Sequence, residues 1–233
     1  MAPAPALPRA FLPARCALLA VLLASFGAQP MAGAQESPPT TEPAAVATPA
    51  PAAPPIAQPV SALQQDMHDY FRAELRGGIV LMAMGAPAVA LGGGLLTHDS
   101  ALWRGLAYPL LVVGGLELLG GLFFAARTPA QVRKLDAGLS QSPQAAQAAE
   151  LARMRRVNKQ FTAIQVFEVV LMAGGIVTAA VGSAYKQDTV TGVGLGLSAE
   201  AAGLLLFDIF AARRALRFTE SLERPLQTAG ATR

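Results

Sequence analysis

The chain predicts an all-α membrane protein: four transmembrane helices as two Gly-rich hairpins, preceded by a signal peptide and a disordered Pro/Ala-rich tether. Three observations predict it. Of its 233 residues 53% are hydrophobic and only 14% charged, against the ~25% charge usual in soluble domains. Four apolar runs of roughly 18 to 25 residues each match the length needed to cross a bilayer. Glycine is frequent within those runs, at 22 residues in the chain.

The amino terminus reads as a targeting segment. Arg9 and Arg15 precede the apolar run from Cys16 to Phe26, and Ala32-Gly33-Ala34 offers small residues for cleavage before Gln35. That run is about 11 residues, too short to span a membrane that needs ~20. Residues 1–34 are therefore assigned as a signal peptide, with a cut after Ala28 and an uncleaved anchor as the alternatives. From 35 to 60 the chain is mostly Pro, Ala, Thr and Ser. Without large apolar side chains it cannot offset its ordering entropy, so a disordered tether is expected.

Ser61 opens a helical pattern with Leu63, Met67, Tyr70, Phe71 and Leu75 on one face, and this amphipathic helix leads into the first apolar run, Ile79 to Leu96. Thr97-His98-Asp99-Ser100 is a tight turn, and the second run, Leu102 to Ala126, completes the segment 61–127. Arg127-Thr128-Pro129 is expected to end that helix. Thr128 would cap, and Pro129 would start a short helix through Val132, Leu135 and Leu139, a connector over 128–142.

Ser142-Pro143 repeats the start signal, and the basic stretch of Arg153, Arg155, Arg156 and Lys159 continues into the third run, Phe161 to Ala184. After the turn at Tyr185-Lys186-Gln187-Asp188, the fourth run, Val190 to Ala212, extends past Arg213, Arg214 and Arg217 as far as Glu223. Residues 143–224 thus form a second hairpin with helical extensions, and Pro225 leaves a short tail, 225–233. The halves resemble each other. Val80-Leu81-Met82-Ala83 matches Val170-Leu171-Met172-Ala173, and Phe124-Ala125-Ala126-Arg127 matches Phe210-Ala211-Ala212-Arg213, as in a duplicated hairpin.

Small residues four apart place Gly174, Thr178 and Gly182, likewise Gly175, Ala179 and Ser183, and again Gly192 and Gly196, on single helix faces. Such faces allow close backbone contact in lipid, so these glycines are candidates for helix packing. Gly192-Val-Gly194-Leu-Gly196 lacks the preceding strand and following Gly-Lys-Ser/Thr of a phosphate loop.

The sharper chemical signal is acidic. Glu117, Glu168 and Glu200 lie inside apolar runs, where a carboxylate is expensive enough to be a functional candidate. Along their helices they are roughly 15 Å from Arg127, 14 Å from Lys159 and 20 Å from Arg213, at broadly similar depths. Apart from Arg104 at the edge of the second run, no cation inside the runs can pair with them. They form a candidate proton or cation site with Gln165 beside it, or else they act as neutral hydrogen-bonding glue. Asp208, near the basic end of the fourth run, is expected at the interface, loosely paired with Arg213 or Arg214.

His68 and His98 stand alone in polar positions, and the only cysteine, Cys16, falls in the segment to be removed, so no metal site and no cofactor are expected. Basic residues flank the apolar runs rather than forming one patch, which excludes nucleic acid and leaves the lipid bilayer, with self-association or a membrane-protein partner. No nucleophile motif or nucleotide loop points to an enzyme. The chain reads as a non-enzymatic scaffold or interaction protein of a bacterial-type cell envelope, in its inner membrane. The alternative is a small transporter or proton/cation-coupled component using the three glutamates. One conflict stands. The basic ends of the hairpins belong in the cytoplasm by the positive-inside rule, whereas an exported tether puts them outside; export is favoured.

Overall fold

The computed structural model describes residues 57–227, so the signal peptide, nearly all of the tether and the end of the tail lie outside the described residues. Those residues form four long helices: α1 Val60–Leu96, α2 Ala101–Gln141, α3 Pro143–Ala184 and α4 Asp188–Glu223. Each carries a stretch long and apolar enough to cross a membrane. The turns fall where expected, at Thr97 to Ser100 and at Tyr185 to Gln187, with Lys186 at a left-handed φ of 54°.

Length decides how much of each helix lies in lipid. The helices have 36 to 42 residues, so each is about 54–63 Å long, roughly twice the ~30 Å of hydrocarbon it must cross. The short turns close one end, and the surplus projects from the other, basic end.

The two halves of the bundle bury opposite kinds of side chain. At the basic end Leu63, Met67, Phe71, Leu139, Met154, Ala215, Phe218 and Leu222 form one core, drawn from all four helices and backed by Val132, Leu135 and Phe161. That core is held by apolar burial worth roughly 1.5–3 kcal/mol for each large side chain. Toward the turns the pattern inverts. Val112, Leu119, Val170, Ile176 and Val177 point outward, each more than half exposed, while glycines and alanines face inward. Only a lipid surround makes that arrangement favourable, because outward valines and leucines cost nothing against acyl chains.

Within the membrane half, backbone contact replaces side-chain packing. Gly78, Gly85 and Gly92 recur every seventh residue along one face of α1, opposite Gly121, Gly114 and Ala107 on the antiparallel α2. A Cβ on Gly85 would sit 2.6 Å from Leu118 N, and one on Gly78 would sit 2.9 Å from Gly121 O. The second pair repeats this. A Cβ on Gly175 would lie 2.7 Å from Ser198 N and 2.9 Å from Gly194 O, and Gly182 faces Thr191. Gly85 and Gly92 follow Val80–Ala83 at the same spacing as Gly175 and Gly182 follow Val170–Ala173, so the first sequence match coincides with a structural one. The Phe-Ala-Ala-Arg match falls out of that register.

Helix α4 is shared. It packs chiefly on α3 but also on α2, and through it the two pairs join. Its Gly194 meets α3, while Gly192 and Gly196 meet Leu102, Leu106 and Pro109 of α2. Gly174 takes no part, since nothing lies within 4 Å of a Cβ added there, and the close-packed row of α3 runs one residue later through Gly175 and Gly182.

The expected break at Thr128-Pro129 is absent. Helix α2 passes through Pro129 without interruption, and 128–141 belongs to it. Pro129 has no N–H to offer, but beside it Thr128 Oγ1 donates to Phe124 O at 2.7 Å. Val132, Leu135 and Leu139 then anchor the continuation in the core, which outweighs the lost bond. At the basic end the α4 carbonyls are met by amide side chains. Gln58 Nε2 donates to Ser221 O at 2.6 Å, and Gln147 Nε2 donates to Leu222 O at 2.9 Å. Gln58 also pairs as a parallel bridge with Leu226, which ties the start of the described chain to its end.

Candidate functional site

Glu117 is held on an inward helix face by the glycine contacts around it. Glu117 is one turn beyond Gly114, and its Cβ lies against Gly85, so the side chain is sealed between α1 and α2 at 3% exposure. Both of its carboxyl oxygens are buried without a hydrogen-bond partner among the described residues. Glu200 on α4 is half-buried and near enough for its charge to act on Glu117.

Glu168 takes a different partner. It is buried on α3 and shares a side-chain hydrogen bond with Asp208 of α4. Gln165, one turn earlier on α3, donates from Nε2 to Asp208 O at 3.2 Å. Asp208 therefore faces α3 inside the bundle instead of pairing with Arg213 or Arg214, because the α3–α4 contact turns its helix face inward.

The acidic residues thus lie at two levels along α4. Glu200 and Asp208 are two turns apart, about 12 Å. Glu117 joins Glu200 at the deeper level, and Glu168 joins Asp208 at the level nearer the basic end. Among the described residues no group of three or more His, Cys, Asp or Glu side chains could hold a metal ion.

A shallow groove of about 260 Å³ opens between α3 and α4 one turn above the Glu168–Asp208 pair, lined by Asn158, Lys159, Phe161, Thr162, Gln165, Ala212 and Leu216. Asn158 Nδ2 donates to Thr219 Oγ1 at 2.8 Å across its upper edge. None of Glu117, Glu168 and Glu200 lines it.

Sequence reasoning did not find a second charged cluster, at the basic end of the bundle. Arg153 donates from Nε to Glu150 Oε2 at 2.8 Å, and its guanidinium lies 5.8 Å from the centre of the Phe71 ring. Burial opposes charge on Arg153, but the hydrogen bond and charge of Glu150 outweigh it and hold the guanidinium firmly ionised. Glu74 on α1 approaches the same group, with Thr128 Oγ1 3.3 Å from its Oε2. Burial pushes the Glu74 carboxyl above its ordinary value, against the pull of Arg153 and Arg127. Burial, with Glu74 beside it, also raises the Tyr70 hydroxyl, whose ring stacks on Phe218 at 4.6 Å. The signal for this cluster was the 3.6-residue period itself, since Tyr70 and Glu74 are one turn apart and so nearly are Glu150 and Arg153.

The histidines are surface groups. His68 Nε2 lies 3.2 Å from Asp136 Oδ1, joining α1 to α2, and His98 Nδ1 accepts from Ser100 N at 3.1 Å inside the first turn. No family model matches the chain, and no curated protein or solved structure matches it either.

Proposed function

We propose that the chain is a non-enzymatic membrane scaffold of a cell envelope, in its inner membrane, with the segment ahead of α1 exported as a tether behind a signal peptide. The observation that carries this reading is the division of the intramembrane carboxylates between two helix interfaces. Glu117 lies by Glu200, and Glu168 is bonded to Asp208. Acidic groups that serve passage of an ion are expected to converge on a polar cavity, whereas these are separated, and Glu117 packs against the near-touching Gly85 and Gly114 backbones. A carboxyl bonded across two helices acts as glue. The basic-end bundle, with a hydrophobic core of its own, then presents a rigid surface outside the lipid.

One observation favours the second reading, a proton- or cation-coupled component. Glu117 has two buried oxygens without a donor and another carboxyl within electrostatic reach. Reconstituted vesicles decide between the two. Proton and cation flux is measured for wild type, Glu117→Gln and Glu200→Gln. The scaffold reading expects no flux in any of them and melting temperatures that differ little, since Gln keeps the shape of the side chain and Glu117 has no hydrogen-bond partner among the described residues to lose. Wild-type flux that both Gln variants abolish would overturn it.

A further inference from the structure

The groove between α3 and α4 lies at a definite depth. Counting up from the turn at Tyr185, about 20 helical residues cross the hydrocarbon, which brings α3 to the neighbourhood of Gln165 and α4 to that of Phe210. The groove residues Asn158 to Gln165 and Ala212 to Leu216 therefore begin where the acyl chains end and the phosphates start. Its lining changes character at that level. Phe161 and Leu216, the latter 50% exposed, offer apolar surface, while Lys159 offers a charged donor.

The charge around it is one-sided. Lys159 is exposed and makes no ion pair among the described residues, and the same holds for Arg213 and Arg217, which directly follow Ala212 and Leu216 on α4. The nearby acids are accounted for or removed. Glu168 and Asp208 lie one turn deeper and bond each other, Glu223 holds Arg155 at 3.0 Å, and Glu220 is exposed one turn above Leu216. A cation beside apolar surface, at phosphate depth, matches a phospholipid whose headgroup bears net negative charge.

We propose that this groove binds one anionic glycerophospholipid, its phosphate against Lys159, its glycerol and the tops of its acyl chains against Phe161 and Leu216, and the chains descending from there past Gln165 into the hydrocarbon. The inference rests on the bilayer placement of the helices and is independent of whether the protein is a scaffold or carries ions.

The test uses the full chain purified in detergent. Binding of phosphatidylglycerol, phosphatidylcholine and free glycerol 3-phosphate is titrated by native mass spectrometry and by the shift in melting temperature. Saturable binding of one phosphatidylglycerol is expected, at least ten-fold tighter than phosphatidylcholine, with glycerol 3-phosphate inert. Lys159→Gln should weaken it about five-fold, one surface charge's worth, and Lys159→Glu more, while Arg133→Gln on α2 leaves it unchanged. Since Lys159 is exposed, both variants should fold, and an unchanged melting temperature without lipid verifies this. Equal affinity for the two lipids, an unaltered affinity in Lys159→Glu, or binding of glycerol 3-phosphate as tight as the lipid would each overturn the proposal. None of these results bears on ion flux, so the scaffold reading stands or falls separately.

Discussion

Glu150 and Arg153, neighbours on one face of α3, form a two-pronged ion pair whose side chains are only 10% and 13% exposed. A buried pair of this kind adds little net stability over apolar residues, but breaking it strands a charge. Arg153→Met should therefore destabilise the protein by about 3 kcal/mol, since it leaves buried Glu150 without its cation and Glu74 with Arg127 alone. Glu150→Gln combined with Arg153→Met should recover at least half of that loss. Thermal unfolding in detergent of the wild type, the single and the double variant checks it; an additive double variant would show that the pair is not coupled.

Close backbone approach in the membrane half predicts a contrast among glycines. A Cβ on Gly85 has Leu118 N at 2.6 Å and Glu117 Cβ at 2.9 Å, neither of which can give way without separating α1 from α2. Gly85→Ala should cost several kcal/mol, about what overpacking a tight core costs. Gly115→Ala and Gly174→Ala meet nothing within 4 Å and should stabilise their helices by about 0.5–1 kcal/mol. Melting temperatures of the three variants should divide accordingly.

The raised Glu74 carboxyl gives stability a pH dependence. A carboxyl whose folded value lies above its unfolded one contributes stability that is fully present below about pH 4.5, its ordinary value, and is lost as pH rises through the raised value. Glu74→Gln should therefore match the wild type in acid and exceed it above that window. Denaturation followed across pH for both proteins gives the difference curve, and a flat difference would contradict the assignment.

Orientation is open to a direct chemical readout. With Cys16 replaced by Ser, Ser142→Cys places one thiol in the short break between α2 and α3, at the basic end. If the tether is exported, an impermeant maleimide labels this thiol in spheroplasts. Labelling only after lysis would put the basic end in the cytoplasm, as the charge rule requires.

Periodicity and run length were enough to read four spans, both turns, the start at Ser142-Pro143 and the stop before Pro225, because each depends on residues close in sequence. The amphipathic face of Leu63, Met67 and Phe71 was legible for the same reason. What the tertiary structure alone decided is which surfaces meet. It carried α2 through Pro129, since packing of Val132, Leu135 and Leu139 outweighs a local breaker. It chose Gly175 over Gly174 as the contact, a rotation of one residue that composition cannot distinguish. It also sorted the carboxylates, giving Glu117 to Glu200 and Glu168 to Asp208, because partnership across helices depends on how far each helix is rotated and shifted against its neighbour. A single sequence sets each helix's own faces, and only the packed backbones set their register.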